Sequence, residues 1–167
     1  VVGEELFASV KIFKAQFENN EWANIIEMPF SSDQFSTQHP CLSTDEKKLY
    51  FSSDRPGSFG SFDIYYVDIN EDRTFGEPVN LGNNINSKHR DQFPFIDTDN
   101  TLYFASDGHQ GMGGLDVFMA NKYNEVYAKP INLGETINSG TDDFSFVIKE
   151  GDSIGYFSSN RDGGDNL

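Results

Sequence analysis

Several residue groupings in this chain have the types and spacing that chemistry uses. Gly151-Asp-Ser-Ile-Gly155 matches the Gly-x-Ser-x-Gly pattern of hydrolases, which requires Ser153 on a sharp turn from a strand into a helix. His39, His89 and His109 are candidate bases or metal ligands. Asp97-Thr-Asp-Asn100 has the opening spacing of a calcium loop. Asp107-Gly-His-Gln-Gly-Met-Gly-Gly114 is a Gly-rich loop of the kind whose N–H groups can hold phosphate.

Each of these has a plain structural reading that the sequence favours. The histidines lack His-Glu-x-x-His spacing and stand at unlike places along the chain. The acidic run has neither the Gly at its sixth position nor the acid at its twelfth that turn the chain and chelate calcium. The Gly-rich loop has no Lys and opens no helix. No cofactor or metal is expected.

The elements that must carry these residues are set by a repeat. Leu49-Tyr-Phe-Ser-Ser-Asp-Arg55, Leu102-Tyr-Phe-Ala-Ser-Asp-Gly108 and Gly155-Tyr-Phe-Ser-Ser-Asn-Arg161 superimpose, with Phe51, Phe104 and Phe157 at steps of 53 residues. Phe62-Asp-Ile-Tyr65 is matched by Leu115-Asp-Val-Phe118. Glu77–Gly82 with Ile85-Asn-Ser87 is matched by Lys129–Gly134 with Ile137-Asn-Ser139. Asp91-Gln-Phe-Pro-Phe95 is echoed by Asp143-Phe-Ser-Phe146 and faintly by Gln38-His-Pro40.

Each unit holds four short runs of strand length bounded by Gly, Asn, Asp and Pro, and helical periodicity is absent apart from a weak Ser43–Lys48 segment that the repeat assigns to a hairpin turn. In the first unit the runs are 38–43, 47–53, 62–68 and 75–81. Aromatics at 14%, with 16 Phe and 7 Tyr, suit a pleated surface. The fold expected is all-β: a β-propeller of four-stranded antiparallel blades, present here in part. Residues 1–34 are the second half of a blade, 35–87 and 88–140 complete blades, and 141–167 the first half of another. Leu6–Lys14 and Trp22–Met28 are expected as third and fourth strands, with Trp22 in the place of Phe75 and Tyr127. A closed ring typically needs four to eight blades, so the chain reads as cut from a longer protein. Its first residues, Val-Val-Gly-Glu-Glu, do not resemble a signal peptide.

The repeat then reassigns the chemistry. Asp152 and Ser153 align with Asp99 and Asn100, a hairpin turn followed by a strand, so the hydrolase pattern and the calcium-like run are both turns. Asp54 and Asp107 are expected to cap N–H groups of the loop between second and third strands, and Asp63 and Asp116 to pair with Arg55 or hold that loop. Acids that recur at equivalent positions argue for architecture, since a glycosidase needs a pair of carboxylates in one cleft. The structural repeat motif comprises Phe51, Asp54, Arg55, Asp63, Phe104, Asp107, Gly113, Gly114, Asp116, Phe157 and Arg161. His109, Gln110 and Met112 form a possible partner-binding loop.

The net charge of −15 opposes binding to nucleic acid or to an anionic membrane surface. No apolar run approaches the roughly 18 residues of a membrane span. The single cysteine, Cys41, excludes an internal disulfide and reads as a buried, inert thiol.

The marker from Phe51 to Tyr65 resembles the WD-like repeat of TolB-type periplasmic propellers. Leu102–Phe118, followed by Tyr156-Phe-Ser-Ser-Asn-Arg161, is similar to propellers of Bacteroidetes envelope proteins that carry an OmpA-like peptidoglycan-binding domain. One branch of those proteins is the anchoring subunit of the type IX secretion and gliding machinery. The resemblance covers about residues 35–161 well and 1–34 loosely. It implies a non-catalytic scaffold of a periplasmic, outer-membrane-associated complex, with protein subunits as partners. Peptidoglycan would be reached only through a domain outside this chain. The competing expectation is an enzyme or ligand-binding propeller acting on a glycan or peptide at the central channel.

Overall fold

A computed structural model describes residues 8–149 and 153–162, and the described residues are all-β. The strands are β1 (Phe13–Glu18), β2 (Glu21–Glu27), β3 (Thr37–Leu42), β4 (Lys48–Ser53), β5 (Asp63–Asp68), β6 (Val79–Asn80) and β7 (Asp91–Ile96). They continue with β8 (Leu102–Ser106), β9 (Asp116–Ala120), β10 (Lys122–Tyr123), β11 (Val126–Tyr127), β12 (Ile131–Asn132), β13 (Asp143–Ile148) and β14 (Gly155–Ser159).

Two four-stranded antiparallel sheets run in simple serial order, β3-β4-β5-β6 and β7-β8-β9-β12. The pairs β1-β2, β10-β11 and β13-β14 are separate two-stranded sheets. Serial order with tight turns keeps every pairing local in sequence. The strands β3, β7 and β13 pack beside one another, so the successive sheets approach through their first strands.

The core lies between sheets, in two layers. One joins Ile12, Met28 and Phe30 to Leu49, Phe51, Tyr65 and Val67. The other joins Tyr50 and Ile64 to Ile85, Ile96, Leu102, Phe104, Phe118 and Tyr127. Middle strands covered on both faces show continuous apolar runs without alternation, as in Leu102–Ser106, which is buried throughout.

Each first strand has a register shift, between Gln38 and Cys41, Gln92 and Phe95, and Phe144 and Val147. At each shift one residue turns left-handed: His39, Phe93 and Ser145, with φ of 54°, 55° and 55°. These are β-bulges, which bend the strand and re-aim its side chains.

Two expectations need correction. The opening pair is shifted: its strands are 13–18 and 21–27, because Asn19 and Asn20 both take positive φ and close a tight turn there. Leu6 and Phe7 lie outside the described residues. The fourth strand of each unit shrinks to two residues, Val79–Asn80 and Ile131–Asn132, since the chain leaves at Gly82 and Gly134 in left-handed turns.

Candidate functional site

The repeat-motif residues converge on the joints between successive sheets. Asp63 enters β5 buried, and its carboxylate accepts the N–H groups of Phe59 (2.8 Å) and Gly60 (3.1 Å). Asp116 enters β9 in the same way and accepts from Met112 (2.6 Å) and Gly113 (3.3 Å). These acids hold the loop before their own strand and do not pair with Arg55.

That loop lies on the entry to the next sheet. A Cβ at Gly60 would collide with the backbone of Lys88 and His89, and one at Gly113 with that of Gly140 and Thr141. The approach is close enough that only glycine fits. A Cβ at Gly114 would meet the Asp142 carboxylate, which accepts the neighbouring N–H of Leu115 at 2.7 Å.

Asp54 and Asp107 differ from expectation. They cap the residue before the first strand of their own unit: Ser36 N–H donates to Asp54 (2.6 Å) and Arg90 N–H to Asp107 (2.8 Å). Asn160 accepts from Asp142 N–H in the same way at 2.8 Å. The folded hairpin brings this N–H to the acid, and the sequence does not show which one will arrive.

Asn86 and Asn138 form a motif that the Ile-Asn-Ser marker contained but did not explain. The Asn86 side-chain amide accepts Ile64 N–H (2.7 Å) and donates to Ile64 C=O (3.0 Å). Asn138 does the same to Val117, at 2.7 and 2.9 Å. A primary amide thus replaces a strand partner for the N–H and adds a second donor to the C=O, which also accepts from Leu81 or Leu133 N–H at 3.1 Å.

Arg55 crosses the first joint. Its guanidinium donates to Phe30 C=O (3.0 Å) and Thr37 Oγ1 (3.5 Å), lying over Phe51 and Tyr65. Arg161 crosses the third, donating to Ile137 C=O and to Asp143 (2.6 Å) above Phe157. In the middle unit Gly108 stands at the aligned position, and His109 fills the space instead. Its Nε2 lies 2.7 Å from Ile85 C=O and 3.8 Å from Asp91, with the ring against Phe104 and Phe118. His109 therefore faces inward and is not an exposed recognition residue, whereas Gln110 and Met112 of the same loop are exposed.

The two buried acids that open β7 and β13 differ. Asp91 accepts Ser87 N–H (2.6 Å) and Oγ (2.9 Å) through one oxygen, and its other oxygen has no hydrogen-bond partner. Burial pushes its carboxyl above the ordinary carboxylate value, opposed by Ser106, Ser87 and His109. Asp143 is also buried, but bonds from Ser159, Arg161 and Ser139 outweigh that and hold it below the ordinary value.

The remaining candidate groupings lie at turns between strands. Asp97 accepts the N–H groups of Asp99 (2.9 Å) and Thr101 (2.8 Å), making a hairpin turn. Gly151 and Asp152 lie outside the described residues, but Lys149 N–H bonds to Ile154 C=O, and β14 rather than a helix follows Ser153. Among the described residues no cluster of three or more His, Cys, Asp or Glu is placed to hold a metal.

The three bulges line a cleft of about 300 Å³ bounded by His39, Cys41, Phe93, Phe95, Phe146 and Val147. The His39 ring stacks on Phe93 at 3.8 Å, and its Nδ1 has no partner. Burial lowers its pKa to about 4, so the ring is neutral. Cys41 is half-buried, and burial pushes its thiol up. No family model matches the chain, and no curated protein matches it.

Proposed function

We propose that the two four-stranded sheets are consecutive blades of a β-propeller, and that the chain is a non-catalytic protein-binding scaffold of an envelope complex. The propeller reading is supported by the serial order of both sheets and the adjacency of their first strands. The observation that carries the scaffold reading is the use of the recurrent acids. Asp54, Asp63, Asp91, Asp107, Asp116 and Asp143 all accept structural hydrogen bonds at sheet joints. Acids that hold backbone in this way are committed to architecture, whereas glycoside hydrolysis requires two carboxylates free to flank a substrate. The periplasmic setting, and a role in type IX secretion or cell-wall anchoring, rest on the sequence resemblance.

The binding loop is best probed by Gln110→Ala with Met112→Ala. Both side chains are exposed, and Asp116 uses only the backbone there. A pull-down from envelope extracts with the double variant should lose partners that the unaltered chain retains. Unchanged partners remove this loop from the interface.

A ligand-binding reading has one observation in its favour, the cleft between the bulges, because left-handed non-Gly backbone concentrates at functional sites. It predicts that glycan or peptide fragments shift NMR signals of His39, Phe93 and Ser145 while leaving those of the joints in place.

A further inference from the structure

The joints between sheets are chemically alike except in one respect. Each is crossed by a cationic or ionisable side chain that reaches a backbone carbonyl and the first residue of the following first strand. Arg55 does this at β3 and Arg161 at β13. At β7 the group is His109, which occupies the same kind of aromatic slot and approaches the same kind of carbonyl. A guanidinium stays charged at any ordinary pH, whereas a free imidazole titrates near pH 6.5.

We propose that the His109–Asp91 pair makes the joint between the β3–β6 and β7–β12 sheets proton-responsive, closed with its proton and loosened without it. The acid is enclosed, and its free oxygen is the one that faces His109 at 3.8 Å. With one proton on the pair, on either ring or carboxyl, the enclosed negative charge is neutralised. Losing that proton leaves a buried carboxylate with only the neutral groups of Ser87 and Ser106 to support it.

Other charged groups around this joint are engaged elsewhere. Asp107 pairs with Arg90 at 2.8 Å, and Asp116 holds the loop backbone through one oxygen, its other having no hydrogen-bond partner. His89 is exposed, with its backbone N–H on Ser87 Oγ. Ser106 stands beside Asp91 on β8 and cannot supply charge.

The sign follows from proton counting. Above about pH 6.5 the unfolded pair has released its proton. If the folded pair still holds one, stability falls as the pH rises. Native-state hydrogen exchange reads the joint directly, because Asp91 N–H bonds to Phe62 C=O across it and Asp143 N–H bonds to Leu115 C=O across the next. After correction for intrinsic exchange, protection at Asp91 should fall about tenfold between pH 5.5 and 8, the equivalent of one pKa unit of linkage. Protection at Asp143 should stay level over that range. His109→Gln should flatten the Asp91 profile, and His89→Asn should leave it intact. Equal pH profiles at Asp91 and Asp143 in the unaltered chain would overturn the proposal, whatever the variants do. So would a His89→Asn variant that loses the response.

Discussion

At the scale of single residues, side chains that stand in for backbone have the clearest consequences. Asn86→Ala leaves the Ile64 N–H buried without an acceptor, while its C=O keeps the Leu81 N–H at 3.1 Å, and a loss of about 1–3 kcal/mol in urea unfolding is expected. Asn86→Asp should also destabilise, since the carboxylate cannot donate to the carbonyl. Asp143 gives a pH prediction of opposite sign to that of the His109 joint. Its folded pKa is depressed, so its stabilisation is present above the ordinary carboxylate range near pH 4 and lost as the pH falls below it. Asp143→Asn should flatten the decline in melting temperature in that acid range. The sequence left Asp63 and Asp116 between pairing with Arg55 and holding the loop before their strands, and the structure takes the second because the loop N–H groups lie three or four residues away. It misplaced Asp54 and Asp107, whose donors arrive from 17 or 18 residues away. His109 was hidden for a further reason: it replaces an arginine in space but is displaced by one position in alignment, so the repeat showed only Gly108 there.

At the scale of elements, the joint is a loop laid on the entrance of the next sheet. Gly113→Ala forces the loop away from the Thr141 backbone, and overpacking of about 1–3 kcal/mol is expected, read as a lower melting temperature. Gly57→Ala has open space around it and fails only through its positive φ of 97°, so its cost should be smaller. Strand positions were legible because the marker, Tyr50-Phe-Ser-Ser53 and Tyr103-Phe-Ala-Ser106, is a fully buried middle strand in two of the three units. The bulges were not legible. His39, Phe93 and Ser145 have no common residue type, and nothing in Phe or His announces a left-handed backbone.

At the scale of the whole molecule, equivalent residues report how well each sheet is covered. Tyr50 and Tyr103 are 3% and 9% exposed, whereas the matching Tyr156 is 62% exposed. Hydrogen exchange should therefore be fastest in β13-β14 and in β1-β2, where Trp22 is 70% exposed, and slowest in β4, β5, β8 and β9. With a net charge of −15, raising the salt from 0.05 to 0.5 M should raise the melting temperature by about a few degrees, by screening self-repulsion. One further consequence concerns solubility. The last strand of each four-stranded sheet spans only two residues, and past its end Asn86 and Asn138 take the N–H groups of Ile64 and Val117 on the neighbouring strand. A polypeptide approaching there finds the Ile64 and Val117 N–H groups already taken, so these two asparagines shorten the stretch of β5 and β9 open to cross-chain β-pairing. Replacing either would cost stability and also unmask an edge on which amyloid-like growth can begin.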